Sequence, residues 1–171
     1  MRILKKLEAL FDYCLNIMAV TAAIILAMII VLVSADALGR YFFNQPILWV
    51  PEITEYSLIF ITFLGSAWLL NKEGHVMMEL ALNHLNKTTQ AVLGIITSLI
   101  GIITYGFFVW YGTLTTWHHF ETGYYRPTVL EIPFAPIVAI IPLGSVFLMV
   151  QFLRRTIKYF KLWKEAITLR R

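Results

Sequence analysis

Four long intervals of this chain are free of Asp, Glu, Lys and Arg, and that pattern restricts the fold more than any other feature. They are Tyr13 to Ala35, Tyr56 to Asn71, a stretch inside Thr88 to Phe120, and Ile132 to Leu153. A bilayer core takes about 20 apolar residues in helix, and an unpaired charge at its centre costs several kcal/mol. The second interval is short, which moves its start back to near Val50 and draws Glu52 and Glu55 into the helix. Spans are therefore expected at about 13–35, 50–71, 90–113 and 132–153. Pro133 and Pro136 suit the opening turn of the fourth, and Pro142 is expected to kink its middle. Composition agrees: 59% of residues are hydrophobic and mean hydropathy is +0.74, against roughly 45 to 50% apolar content in soluble domains. A soluble globule of 171 residues could not bury so much apolar surface. The expected fold is all-α and integral to a membrane, a single domain over residues 1–171 with no linker or low-complexity tract. Cys14 stands alone and cannot close an internal disulfide.

Charge sets the expected orientation. Of 14 Lys and Arg, only Arg40 and Arg126 fall between spans one and two or spans three and four; the others lie on the side of the termini and the middle loop. The positive-inside rule places that side in the cytoplasm. The 23-residue apolar run from Tyr13 to Ala35 exceeds the about 7 to 15 residues of a signal-peptide core, so it is expected to remain as an anchor. Both ends read as interfacial amphipathic helices, residues 1–12 and a basic tail over 154–171. Ile3, Leu4, Leu7, Leu10 and Phe11 alternate with Arg2, Lys5, Lys6 and Glu8; Ile157, Phe160, Trp163 and Ile167 do so among Arg154, Arg155, Lys158, Lys161 and Lys164. Membrane lipids are the expected partners of these ends, and the pI near 9.3 reflects them and not a nucleic-acid surface.

The span interiors carry no ionisable residue, where transporters and pumps place groups that hold substrate or relay charge. Their polar side chains are Asn16, Thr21, Ser57, Thr62, Ser66, Thr97, Ser98, Thr104 and Ser145, which more often pack or bond between helices than bind ions. A complete ion pathway, a catalytic group, a metal site, a substrate site and a cofactor are accordingly not expected. A drug exporter would need a membrane-embedded carboxylate. A haem- or metal-bearing anchor of a redox enzyme is the rival reading raised by the histidines. His75 and His84 fall in the middle loop, however, and His118 and His119 at the far end of span three. Ala19, Ala23 and Ala27, Gly94 with Ser98, and Thr97 with Gly101 form small-residue stripes that let backbones approach. The spacing alone leaves open which helix each stripe meets.

Unusual chemistry is densest in the first periplasmic connection. Asp36 and Arg40 are four apart and can pair on one helix face. Asn44 and Pro46 suit a turn, and Glu52 and Glu55 share a face at the next helix's start, where its dipole favours carboxylates. The expectation is a clasp in which a guanidinium bridges both helices, with Tyr41 and Trp49 among its residues and Trp49 at the interface.

Asp36, the run Arg40-Tyr41-Phe42-Phe43-Asn44-Gln45-Pro46, Trp49 and Glu52 resemble the signature of the small membrane (DctQ-type) subunit of tripartite ATP-independent periplasmic (TRAP) transporters. Similar in order and spacing are Phe63-Leu64-Gly65-Ser66-Ala67, Gly74-His75-Val76 with Glu79, Ile132-Pro133 and Ile141-Pro142-Leu143-Gly144. The likeness covers about residues 30 to 155, apart from the connection from Trp117 to Arg126. The resemblance adds Gly65, His75, Pro142 and Gly144 to the candidate interface residues. It implies a non-catalytic inner-membrane subunit paired as a heterodimer with a large multi-span transport subunit. A soluble periplasmic binding protein would deliver an organic acid anion, of the C4-dicarboxylate or sialic-acid class, for sodium-driven uptake. The small subunit would then be a scaffold, with docking expected at the loops around Arg40 to Trp49 and Trp117 to Arg126.

Overall fold

A computed structural model describes residues 2–82 and 87–168, and the side chains of these except residues 2–5, 7, 73–82, 87, 166 and 167. Its elements are four α-helices: α1 Arg2–Phe43, α2 Val50–Leu82, α3 Lys87–Thr122 and α4 Phe134–Thr168. All four are long and apolar enough to cross a membrane. Neither end forms a separate helix: α1 runs unbroken from Arg2 and α4 unbroken to Thr168. At 42 residues α1 is about 63 Å long, twice the roughly 30 Å hydrocarbon thickness, so its polar first turns extend past the core. Pro133 lies just before α4, bridged to Tyr125, and Pro136 sits in the first turn. Pro142 lies within the helix, which continues on both sides of it.

The helices stand in the order α1–α2–α4–α3, with α3 packed most extensively on α4, α1 on α2, and α2 on α4. The bundle is thus an open row whose chain order and spatial order differ at the last two positions. α2 and α4 run parallel, since Glu52 meets Leu130 at one end and Asn71 meets Gln151 at the other. A third of α4's most apolar window is buried (33%), against 11% in each other helix, which makes α4 the central post.

Backbone approach explains this order. On α1 the buried residues Leu15, Ala22, Ile29 and Asp36 recur every seven positions, the repeat that keeps one seam of a helix against its neighbour. Gly65 of α2 lies opposite: a Cβ there would sit 4.0 Å from that of Ala22. On α3, Gly94 and Gly101 receive the rings of Tyr159 and Phe152, and Gly112 receives Pro142. Of the small-residue stripes, Gly94, Ser98 and Gly101 face α4, while Ala23, Ala27 and Thr97 point outward. The hydroxyls of Thr21, Thr62, Ser66, Thr97 and Ser98 bond carbonyls of their own helices four residues back and do not cross to another helix. Asn16 does cross, accepting the indole N–H of Trp68 at 3.0 Å.

Seam and outer face should differ sharply on substitution. Ala22→Leu, in the seam, is expected to cost about 1–3 kcal/mol by overpacking. Ala23→Leu, one residue away and exposed, should change the stability of the isolated chain by no more than about 0.5 kcal/mol. Thermal unfolding of the detergent-solubilised variants checks the pair, and equal shifts would refute this seam.

Candidate functional site

The end of the row carrying the α1–α2 and α3–α4 connections holds two ion pairs, Asp36 with Arg40 and Glu55 with Arg126. α1 stops because Asn44 takes the left-handed conformation (φ 51), which asparagine tolerates better than most residues. The turned chain lets the Gln45 N–H return to the Gly39 carbonyl at 3.4 Å. Asp36 anchors this turn from one helical face. Its Oδ1 accepts the Ile47 N–H at 2.7 Å and its Oδ2 accepts Arg40 Nη2 at 2.6 Å. Asp36 is 7% exposed, so both oxygens are used in a largely enclosed setting. Pro46 lies between the two points this carboxylate ties together, and Pro51 in the first turn of α2 needs no N–H partner.

α3 ends at Gly123, whose φ of 58 permits the Tyr124 N–H to reach the His119 carbonyl at 3.3 Å. The connection then folds over the start of α2. Glu52 accepts the main-chain N–H groups of Val129 at 2.7 Å and Leu130 at 3.2 Å, one on each carboxylate oxygen. Glu55 accepts Arg126 Nη1 at 2.7 Å. That hydrogen bond, then the charge of Glu55, raises the Arg126 guanidinium above its already high ordinary value, so it stays cationic.

The guanidinium that reaches across to α2 is therefore Arg126, not Arg40. Arg40 pairs within α1, with Asp36, and its side chain remains half exposed at 53%. Sequence reasoning placed Arg126 in a loop but gave it no partner, because a contact spanning 71 residues has no local signal. Together, Asp36 closes the first connection on itself and Glu52 and Glu55 fasten the second to α2, so both connections share one face. Tyr41, in the last turn of α1, is 83% exposed and in edge contact with Phe42, and Trp49, just before α2, is 38% exposed.

The remaining candidates lie elsewhere. Gly65 is at the α1–α2 crossing, Gly144 at the α2–α4 crossing against Phe63, and Pro142 against Gly112 on α3. The side chain of His75 falls outside the described residues, as does His84 altogether. His119 packs on Tyr124 and Phe134, with His118 6.0 Å away. The opposite end holds a second polar set: Arg154 Nη1 bonds Asp12 at 2.7 Å with its guanidinium 4.4 Å over the Phe11 ring, and Gln151 Nε2 bonds Asn71 Oδ1 at 2.9 Å.

Comparison with known proteins bears on this architecture. Residues 29–162 match the family model described as "Tripartite ATP-independent periplasmic transporters, DctQ component". A 79-residue stretch is 35% identical to a Haemophilus influenzae protein named "Putative TRAP transporter small permease protein", covering 46% of this chain and 49% of that one. The chain thus spans about half the length of the curated relative it matches. The matched family segment includes every candidate residue of both connections, Arg126 among them.

Proposed function

Because this chain belongs to the DctQ component family of the tripartite ATP-independent periplasmic transporters, we propose that it is a non-catalytic scaffold for a large multi-span transport subunit. It sits in the bacterial inner membrane with both ends in the cytoplasm, as its distribution of Lys and Arg favours. The face made by the two connections is then periplasmic and receives a soluble binding protein. The transported solute is an organic acid anion of the C4-dicarboxylate or sialic-acid class, moved by a sodium gradient, with the substrate and ion sites in the large subunit.

The observation that carries this reading is the fastening of the second connection to α2 through Glu52 and Glu55, beside a first connection closed by Asp36. A docking surface works best when it is ordered before the partner arrives, because ordering it on contact subtracts from affinity. The open row supports the scaffold role as well, since α1 and α3 leave broad apolar faces outward for lipid and a partner subunit.

Two experiments test it. A C-terminally tagged chain, purified from the native bacterium in mild detergent, is expected to retain a larger multi-span protein in equal amount; the chain alone, or with a haem protein or dehydrogenase, would refute the subunit assignment. With assembly intact, Glu52→Ala combined with Arg126→Ala is expected to lower binding-protein-dependent uptake about tenfold, a loss typical of a disturbed contact surface. Undiminished uptake by that variant would remove docking from these connections.

A further inference from the structure

We propose that the end of the row opposite the fastened connections holds a discrete site for one anionic phospholipid, its phosphodiester seated among Arg155, Lys158 and Lys161. This rests on the reading that the four helices cross a bilayer, and it goes beyond a general attraction of basic helix ends to a charged surface.

The site is a cleft of about 510 Å³ between the first turns of α1, the middle of α2 and the C-terminal half of α4, within the range of ligand pockets. Arg155, Lys158 and Leu162 follow at intervals of three and four along α4, with Lys161 beside them, so one helical face supplies the cations. Arg154 on the same wall is already committed to Asp12. Setting that pair aside, among the described lining residues three cations face the carboxylate of Glu8, a positive excess. Among the described residues, Nε of Arg155 is buried there without a hydrogen-bond partner. A buried donor beside an unneutralised basic group is what an anionic oxygen would satisfy, since an orphaned donor otherwise costs the folded state. The Arg155 guanidinium also lies 5.6 Å from the Tyr159 ring, which holds its plane in place.

Apolar walls decide between a lipid and a free anion. Leu70, Ile157 and Leu162 line the same cleft, and Ile157 and Leu162 are 57% and 41% exposed toward the surrounding medium. An inorganic anion would leave those walls unused. An acyl chain descending from the headgroup covers Leu70 and continues along the outward apolar residues of α4, such as Leu153, while Ile157 and Leu162 flank the headgroup itself. Basic pockets between membrane helices recognise anionic headgroups by this combination.

The test titrates the full-length chain, purified with whatever partner it retains, with dioctanoyl phosphatidylglycerol, dioctanoyl phosphatidylcholine and inorganic phosphate, read by native mass spectrometry. One phosphatidylglycerol per chain is expected to bind with saturation, and the other two much more weakly. Lys158→Gln with Lys161→Gln should weaken phosphatidylglycerol roughly 25-fold, about fivefold for each cation removed, with the two losses compounding. Lys164→Gln, whose cation lies over the Phe160 ring outside the cleft, should leave the affinity unchanged. Replacement of both lysines by arginine should retain binding, which separates loss of charge from loss of fold. Equal binding of phosphatidylcholine, equal binding of inorganic phosphate, or an equal loss in the Lys164 variant would each overturn the site. Failure here with a large partner still co-purifying refutes the lipid site alone; phosphatidylglycerol binding without that partner refutes the transporter reading alone.

Discussion

Gly144→Ala is expected to destabilise the folded chain by about 2 kcal/mol. A Cβ at 144 would lie 2.6 Å from the Cβ of Phe63, 2.9 Å from its carbonyl oxygen and 3.2 Å from its carbonyl carbon. Those neighbours are main chain or fixed to it, so no rotamer change relieves the contact and α2 must move away from α4. Overpacking of this kind costs about 3 kcal/mol at the upper end of its usual range. The better helix propensity of alanine returns about 1 kcal/mol. For Gly101→Ala the three nearest atoms, from 2.6 Å, belong to the ring of Phe152, a side chain rather than backbone, so its cost should be smaller. Gly106→Ala, with open space around it, should be neutral or gain up to about 1 kcal/mol. Thermal unfolding in detergent should rank the three in that order. A Gly144→Ala protein as stable as the parent would mean that α2 and α4 do not cross at this point.

Asp36→Ala is expected to open the turn between α1 and α2. The substitution strips the Ile47 N–H of its acceptor and releases Arg40 at the same time. A half-buried donor left without a partner drives the chain to find water, and the easiest route is fraying of the last turn of α1. Limited trypsin digestion reads this directly, because Arg40 is a cleavage site now held in helix. Cleavage after Arg40 should accelerate about tenfold or more, in step with the population of the opened turn. Asp36→Asn retains an acceptor for Ile47 but not the ion pair, and should fall nearer the parent. An Asp36→Ala chain cut at the parent rate would show that the turn is held by something other than this carboxylate.

The membrane class and the helix count were legible because they depend on local quantities. Whether Tyr13 to Ala35 can enter hydrocarbon is decided by its own composition, and the same holds for the other three intervals. The pairing of Asp36 with Arg40 follows from a spacing of four on one helix, also a local matter. Arg126 shows where such reasoning ends. Its partner lies 71 residues away, and nothing in Tyr125-Arg126-Pro127 distinguishes a guanidinium that reaches α2 from one that points into solvent. Glu52 was legible as a carboxylate at a helix start, but not as the acceptor for Val129 and Leu130, which arrive from the far side of the chain. Arg154 with Asp12 is a similar case, two residues 142 apart in the chain.

The small-residue stripes show the same division more sharply. Ala19, Ala23 and Ala27 and the seam of Leu15, Ala22 and Ile29 are alternative faces of one apolar helix. In water an amphipathic pattern would tell them apart, because the buried face would be the apolar one. In lipid both faces are apolar, so periodicity loses its contrast and close packing decides. The amino-acid sequence by itself determined that this chain crosses a membrane four times and keeps charge out of its spans, through the local cost of placing polar groups in hydrocarbon. Only the tertiary structure decided the order α1–α2–α4–α3, the seam used by each helix and the guanidinium that fastens the second connection, because those depend on how surfaces of nearly equal hydrophobicity fit one another.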